Sequence, residues 1–85
     1  MIAPVGSYSV GIFRGQTRQS EIEHLSIDAA RHIAQTHASF GDDCRVMLEG
    51  GDYCEVYAHD GDVRVGTFAE TTLVRVTEER DNATT

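Results

Sequence analysis

From Cys44 to Phe68, apolar and polar residues alternate in three successive runs, parted by Gly50-Gly51-Asp52 and by Asp60-Gly61. Successive side chains of a strand point to opposite sides, so period two with glycine-bearing turns commits this stretch to antiparallel strands. Cys44, Val46 and Leu48 alternate with Arg45, Met47 and Glu49. Cys54, Val56 and Ala58 alternate with Tyr53, Glu55, Tyr57 and His59, and Val63, Val65 and Thr67 with Arg64, Gly66 and Phe68. A two-residue turn at Asp60-Gly61 pairs Ala58 with Val63, Val56 with Val65 and Cys54 with Thr67. A three-residue turn at Gly50-Gly51-Asp52 then pairs Leu48 with Cys54, Val46 with Val56 and Cys44 with Ala58. This places the apolar residues on one face. A slip of one residue puts Arg45 or Glu55 into the core, which is the argument for this register.

Upstream, Ser7 to Arg14 alternates as well, with Tyr8, Val10 and Ile12 on one side and Ser7, Ser9 and Gly11 on the other. Residues 15–20 read as a polar connection, and Glu21-Ile22-Glu23-His24 as a short edge segment. Leu25-Ser26-Ile27-Asp28 has the chemistry of a helix start. Ser26 is an N-cap, Asp28 an acid in the first turn, and Leu25 a staple partner for Ala30. Ile27, Ala30, Ile33, Ala34 and Ala38 keep helical spacing, and Gly41 follows as a stop. Thr71 to Thr77 is a further β-prone run, and 78–85 a charged tail expected to fray. The expected fold is α+β. A single helix packs on a mainly antiparallel sheet in the order β-α-β-β-β, with an extra strand after Ala69-Glu70. Residues 1–77 form one domain, as the length of 85 residues suggests.

The charge is −7, from 14 acidic and 7 basic residues. The basic ones are all arginine, a pattern of coding bias or of adaptation to high salt. A general nucleic-acid binder needs many cations to neutralise phosphate, so the acidic balance points to a partner that is itself basic. Met1 to Ser7 lacks the basic and apolar regions of a secretory signal, and no apolar stretch approaches the roughly 20 residues of a membrane span. The expectation is a cytoplasmic protein with reduced thiols.

Signals of catalysis are missing. Cys44 and Cys54 share a face in this register but lie roughly 13 Å apart along the sheet, beyond disulfide reach. His32 and His37 diverge by about 140° around the helix, and His24 and His59 have no ligand-type partner nearby, so no metal site is expected. Asp60-Gly61-Asp62 lacks the ligand pattern of a calcium loop. No serine sits in a nucleophile elbow, and no glycine-rich phosphate loop precedes a helix. No cofactor is expected, and the chain reads as a non-enzyme.

The second face of the sheet is the candidate binding surface. In the register above it carries Arg45, Tyr57 and Arg64 in one row and Glu49, Tyr53 and Phe68 in another, with Met47 and Glu55 between. Aromatic residues, methionine and arginine are enriched at protein interfaces. The expected binding residues are therefore Arg45, Met47, Tyr53, Glu55, Tyr57, Arg64 and Phe68, left wet if one helix covers one side only; the alternative is that Phe13 or the chain after Phe68 folds over them and the face is structural. The same side chains suit stacking on single-stranded bases. An uncovered edge strand also suits self-association in a larger assembly.

The stretch from Glu21 to Val65, about half the chain, resembles small phage-encoded anti-CRISPR proteins that inhibit type I-F surveillance complexes. The likeness runs from Ile22-Glu23 through the capped helix Leu25-Ser26-Ile27-Asp28-Ala29-Ala30-Arg31-His32-Ile33-Ala34 to Phe40 and Gly41. It continues through Arg45-Val46-Met47-Leu48-Glu49, Glu55-Val56-Tyr57-Ala58 and the Asp60-Gly61 turn. The resemblance implies an inhibitor of phage or mobile-element origin that acts in the host cytoplasm by docking on a basic nucleic-acid-handling complex. Some such proteins contact their target through basic residues and others are acidic and occupy basic nucleic-acid sites; this chain has no lysine, and the resemblance assigns it no functional residue.

Overall fold

Tyr8–Arg14, with its alternating residues, and the polar run Thr17–Leu25 form a hairpin of strands β1 and β2, joined through Gly15 at φ +64°. Helix α1 follows at Ile27–Ser39, then β3 at Asp43–Leu48, β4 at Tyr53–Tyr57 and β5 at Val63–Thr67. The computed structural model describes residues 3–15 and 17–71. The five strands form one sheet in the order β2-β1-β3-β4-β5, antiparallel at every step. Because β2 and β3 both run antiparallel to β1, they are parallel to each other. Helix α1 is the crossover between them and has to lie over β1. The fold is α+β, with one main helix on an antiparallel sheet and a short helical turn at 68–71.

Both ends of α1 follow from the residues found there. Ser26 Oγ accepts the backbone N–H of Ala29 at 3.2 Å. At the other end the N–H groups of Gly41 and Asp42 bond the carbonyls of Ala38 and His37 at 3.1 Å each. That pair of bonds is the Schellman arrangement, and it requires the φ of +97° that Gly41 adopts without strain. Ala30 and Ala34 are fully buried and let the helix sit close to Tyr8, Val10 and Ile12 of β1 and Cys44 and Val46 of β3. Leu25, Ile27, Ile33 and Leu48 close the margins of this core. Each fully buried valine or isoleucine contributes about 1.5–3 kcal/mol relative to an exposed one.

Three features differ from the sequence expectation. Strand β2 begins at Thr17 rather than at Glu21. Every β2 residue except Leu25 is exposed, so no apolar alternation marks it. Thr71 sits in the helical turn at 68–71 and not in a strand; residues 72–77, the rest of the expected strand, and the tail at 78–85 lie outside the described residues.

The third difference reverses β4. The observed pairs are Cys44 with Tyr57, Val46 with Glu55 and Met47 with Cys54, one residue away from the expected register. On the other side Tyr57 pairs with Val63, Glu55 with Val65 and Tyr53 with Thr67. The β3–β4 loop holds four residues, Glu49 to Asp52. The β4–β5 turn holds three, closed by Ala58 N–H to Asp62 O at 2.9 Å, with Gly61 at φ +93°. The two one-residue errors cancel for β5 and leave β4 alone inverted. Tyr53, Glu55 and Tyr57 therefore face the helix, while Cys54 and Val56 face the reverse side.

Candidate functional site

Glu55 illustrates why β4 can turn this way. Its side chain is 1% exposed and meets four donors. Arg31 Nε lies 3.0 and 3.1 Å from the two carboxylate oxygens, and Arg31 Nη2 lies 2.5 Å from Oε2. The Tyr53 hydroxyl donates to Oε2 at 2.5 Å and the Tyr57 hydroxyl to Oε1 at 2.8 Å. Burial by itself raises the Glu55 pKa, but the hydrogen bonds from Arg31, Tyr53 and Tyr57 outweigh it and hold the carboxyl below its ordinary value. Burial and the adjacent carboxylate push Tyr57 up to about 12. This cluster ties α1 to β4, where α1 no longer covers the sheet. Its lone pairs are spent on internal donors, and it has the character of a structural tie.

On the reverse side, register places Gly11, Arg45, Val56 and Arg64 in one row across β1, β3, β4 and β5. Ser9, Met47, Cys54 and Gly66 form the next row. Phe13 lies beside them. A Cβ on Gly11 would stand 3.0 Å from the Phe13 ring, so the glycine is what lets the ring lie over the strand. The Arg45 guanidinium carbon sits 5.3 Å from the Phe13 ring centre and 5.0 Å from that of Phe68. Arg18, from β2, sits 5.6 Å from the same Phe13 ring. Arg18, Phe13, Arg45 and Phe68 thus alternate cation and ring across the face, within the range of cation–π attraction.

A local signal brings Phe68 there. Thr67-Phe68-Ala69-Glu70 is a capping box: the Glu70 N–H donates to Thr67 Oγ1 at 3.1 Å and the Thr67 N–H to Glu70 Oε1 at 3.2 Å. The turn it starts packs on the reverse side of the sheet. A Cβ on Gly66 would meet Glu70, and Thr71 and Cys54 are both buried. The sheet's reverse side is therefore partly covered by the chain itself.

Of the seven residues expected on one binding face, Arg45, Met47, Arg64 and Phe68 do lie on the reverse side. Tyr53, Glu55 and Tyr57 do not; the inverted β4 turns them toward α1. Sequence reasoning left Arg18 out of the face and took Phe13 only as a ring that folds over it. Phe13 continues the Ser9, Gly11 parity of β1, which marked its side, whereas Arg18 lay in a segment read as connection.

The arginines differ in their partners. Arg14 pairs with Asp42 at 3.1 Å, Arg18 with Glu21 at 3.5 Å, Arg31 with Glu55 and Arg64 with Asp62 at 2.9 Å. Among the described residues Arg45 has rings and no carboxylate, and its Nε is buried without a hydrogen-bond partner.

The remaining candidates are accounted for internally. Cys44 and Cys54 are buried free thiols on opposite sides of the sheet, not on one face as expected. Burial, then Asp42 and Asp43, lift Cys44 to about 11, and burial lifts Cys54. Such thiols are poor nucleophiles. His24 and His59 do have carboxylate neighbours, unlike the expectation. The His24 ring lies 3.1 Å from Glu49 and the His59 ring 3.0 Å from Asp43, and each residue's backbone N–H bonds the same carboxylate at 2.9 Å. Glu23, His24 and Glu49 bring ligand-type atoms within 4.8 Å of one another, but these hydrogen bonds already explain the grouping. Among the described residues, no helix is long and apolar enough to cross a membrane. No protein-family model, curated protein or solved structure matches the chain.

Proposed function

We propose that this chain is a non-catalytic protein-binding module that docks through the face formed by Arg18, Phe13, Arg45, Phe68, Met47 and Arg64. The observation that carries the reading is Arg45. Every other described arginine has a carboxylate, whereas this one is held over two rings with no carboxylate among the described residues to balance its charge. Half-buried rings and a methionine around a guanidinium match the composition of interface centres.

The partner we propose is a basic nucleic-acid-handling complex, the class that the resemblance to phage-encoded anti-CRISPR proteins implies. Its support is the charge of −7, which attracts a basic partner over distance while the arginine–phenylalanine face makes the close contacts. On this reading the protein acts in the host cytoplasm as an inhibitor.

Affinity capture with the tagged full-length protein tests it. Wild type and the exposed helix variant His32→Ala should retain the same protein, while Arg45→Ala loses it at least tenfold. The melting temperature should fall by no more than roughly 4–8 °C, the equivalent of 1 kcal/mol in a domain of this size. A partner held equally by Arg45→Ala refutes the assignment. Rings alternating with guanidinium groups also suit single-stranded nucleic acid. Tight, salt-sensitive binding of oligonucleotides that Arg45→Ala removes would replace the protein-binding reading.

A further inference from the structure

We infer that the cleft between α1 and β5 receives an extended segment of a basic protein, which joins the sheet as an added strand beside β5. The inference is independent of the arginine–phenylalanine face, which lies on the opposite side of the sheet.

Hydrogen-bond parity supplies the first part of the argument. The β4–β5 ladder is bracketed by Ala58 N–H to Asp62 O at 2.9 Å and Phe68 N–H to Asp52 O at 2.8 Å. In an antiparallel pair hydrogen-bonded and non-hydrogen-bonded positions alternate. The even-numbered residues of β5 therefore turn their backbone groups toward β4, and Val63, Val65 and Thr67 turn theirs outward. The Thr67 N–H is taken by Glu70. The N–H and C=O groups of Val63 and Val65 have no partner strand among the described residues, where β5 is an edge of the sheet. Natural edges are blunted by charged residues, proline or bulges; the β4–β5 ladder shows no register shift, and the one charged residue of β5, Arg64, pairs with Asp62 and belongs to the reverse side.

Side chains supply the second part. Val63 and Val65 pair with Tyr57 and Glu55, so they share the helix side of the sheet. They are 51% and 42% exposed. Beside Val63 opens a cleft of about 410 Å³, with Tyr57 and Ala38 at its lining and Gln35 on the helix wall. An incoming strand bonded to Val63 and Val65 would direct alternate side chains into that space.

Charge selects the occupant. Asp60 and Asp62, the latter also paired with Arg64, line the cleft, and the chain as a whole carries −7. The Thr67–Glu70 capping box ends the free edge, so the segment engages it over about four residues. The recognised ligand is a short extended peptide in which apolar side chains alternate with arginine or lysine.

The probe is a fluorescein-labelled heptapeptide of alternating valine and arginine, titrated against the full-length protein and followed by anisotropy. Two versions are N-methylated on alternate amides, one on each set, and keep the same charge. Strand addition predicts that methylation of one set weakens binding at least tenfold while the other set is tolerated. Val63→Arg should abolish binding, and Asp60→Asn with Asp62→Asn should weaken it at least fivefold. Arg45→Ala should bind the peptide as wild type does, which separates this site from the opposite face. Equal effects of the two methylation sets, no binding of the unmodified peptide, or indifference to Val63→Arg would each overturn the inference. A dimer in sedimentation that Val63→Arg dissolves would give the edge to a second copy and overturn it as well.

Discussion

The Glu55 carboxylate sits in the core because Arg31 and the hydroxyls of Tyr53 and Tyr57 converge on it. Breaking a buried pair is costly because the surviving partner keeps its desolvation cost. Glu55→Gln should lose about 3 kcal/mol in urea denaturation, toward the lower end of that class because the Arg31 side chain is one-third exposed. The pH dependence has a definite sign. A carboxyl held below its ordinary value of 4.5 stabilises the fold fully above that pH, and the contribution is lost as pH falls through the folded value. Wild type should therefore lose stability on acidification below about 4.5 more steeply than Glu55→Gln. Equal acid sensitivity of the two proteins would mean that the cluster carries no net charge stabilisation. The residue types were plain in the sequence, but a glutamate among tyrosines on a strand reads as a solvent face until its donors are located.

At the scale of elements, short-range chemistry sufficed wherever the partners were neighbours. Ser26 and Gly41 bound the helix as expected, because capping groups lie within four residues of what they satisfy. The antiparallel strands β3, β4 and β5 stand where alternation placed them. The turn lengths were not legible. Asp60-Gly61 has the signal of a two-residue hairpin, yet the turn includes His59 and places Gly61 in the left-handed region at φ +93°. Gly61→Ala meets no atom within 4 Å, so its cost is backbone strain alone, about 1–2 kcal/mol. Measured by thermal unfolding, a loss near zero would mean that the turn is free to adopt another form. The capping box Thr67-Phe68-Ala69-Glu70 was visible in the residues but was passed over as a plain turn.

For the molecule as a whole, the tyrosines report on the integrity of the helix side. The chain has three, and no tryptophan to obscure them. Burial raises all three pKa values, with Glu55 adding to each, and Tyr57 reaches about 12. Groups whose folded pKa is raised stabilise the fold fully below the ordinary value of 10 and lose that contribution as pH rises through the folded value. Tyrosinate absorbance should therefore remain low at pH 10, rise together with unfolding at higher pH, and return to an ordinary midpoint in concentrated urea. A tyrosine that titrates normally in the native protein would show the Glu55 cluster to be open. The proposed surfaces also belong to this scale. One lies on the reverse of the sheet and one between α1 and β5.

The amino-acid sequence by itself determined the helix and its limits, the alternating strands, the acidity and the presence of rings and arginines suited to docking. Those properties depend on residues within a few positions of one another. Only the tertiary structure decided which side of β4 meets the helix, and with it which aromatic residues form the core and which face outward. Turning Glu55 inward required Arg31, 24 residues away, together with two loops that each differ by one residue from the simplest pairing. A strand's two sides differ by a single step of register, so a small change in loop length, stabilised by a distant partner, exchanges interior for surface.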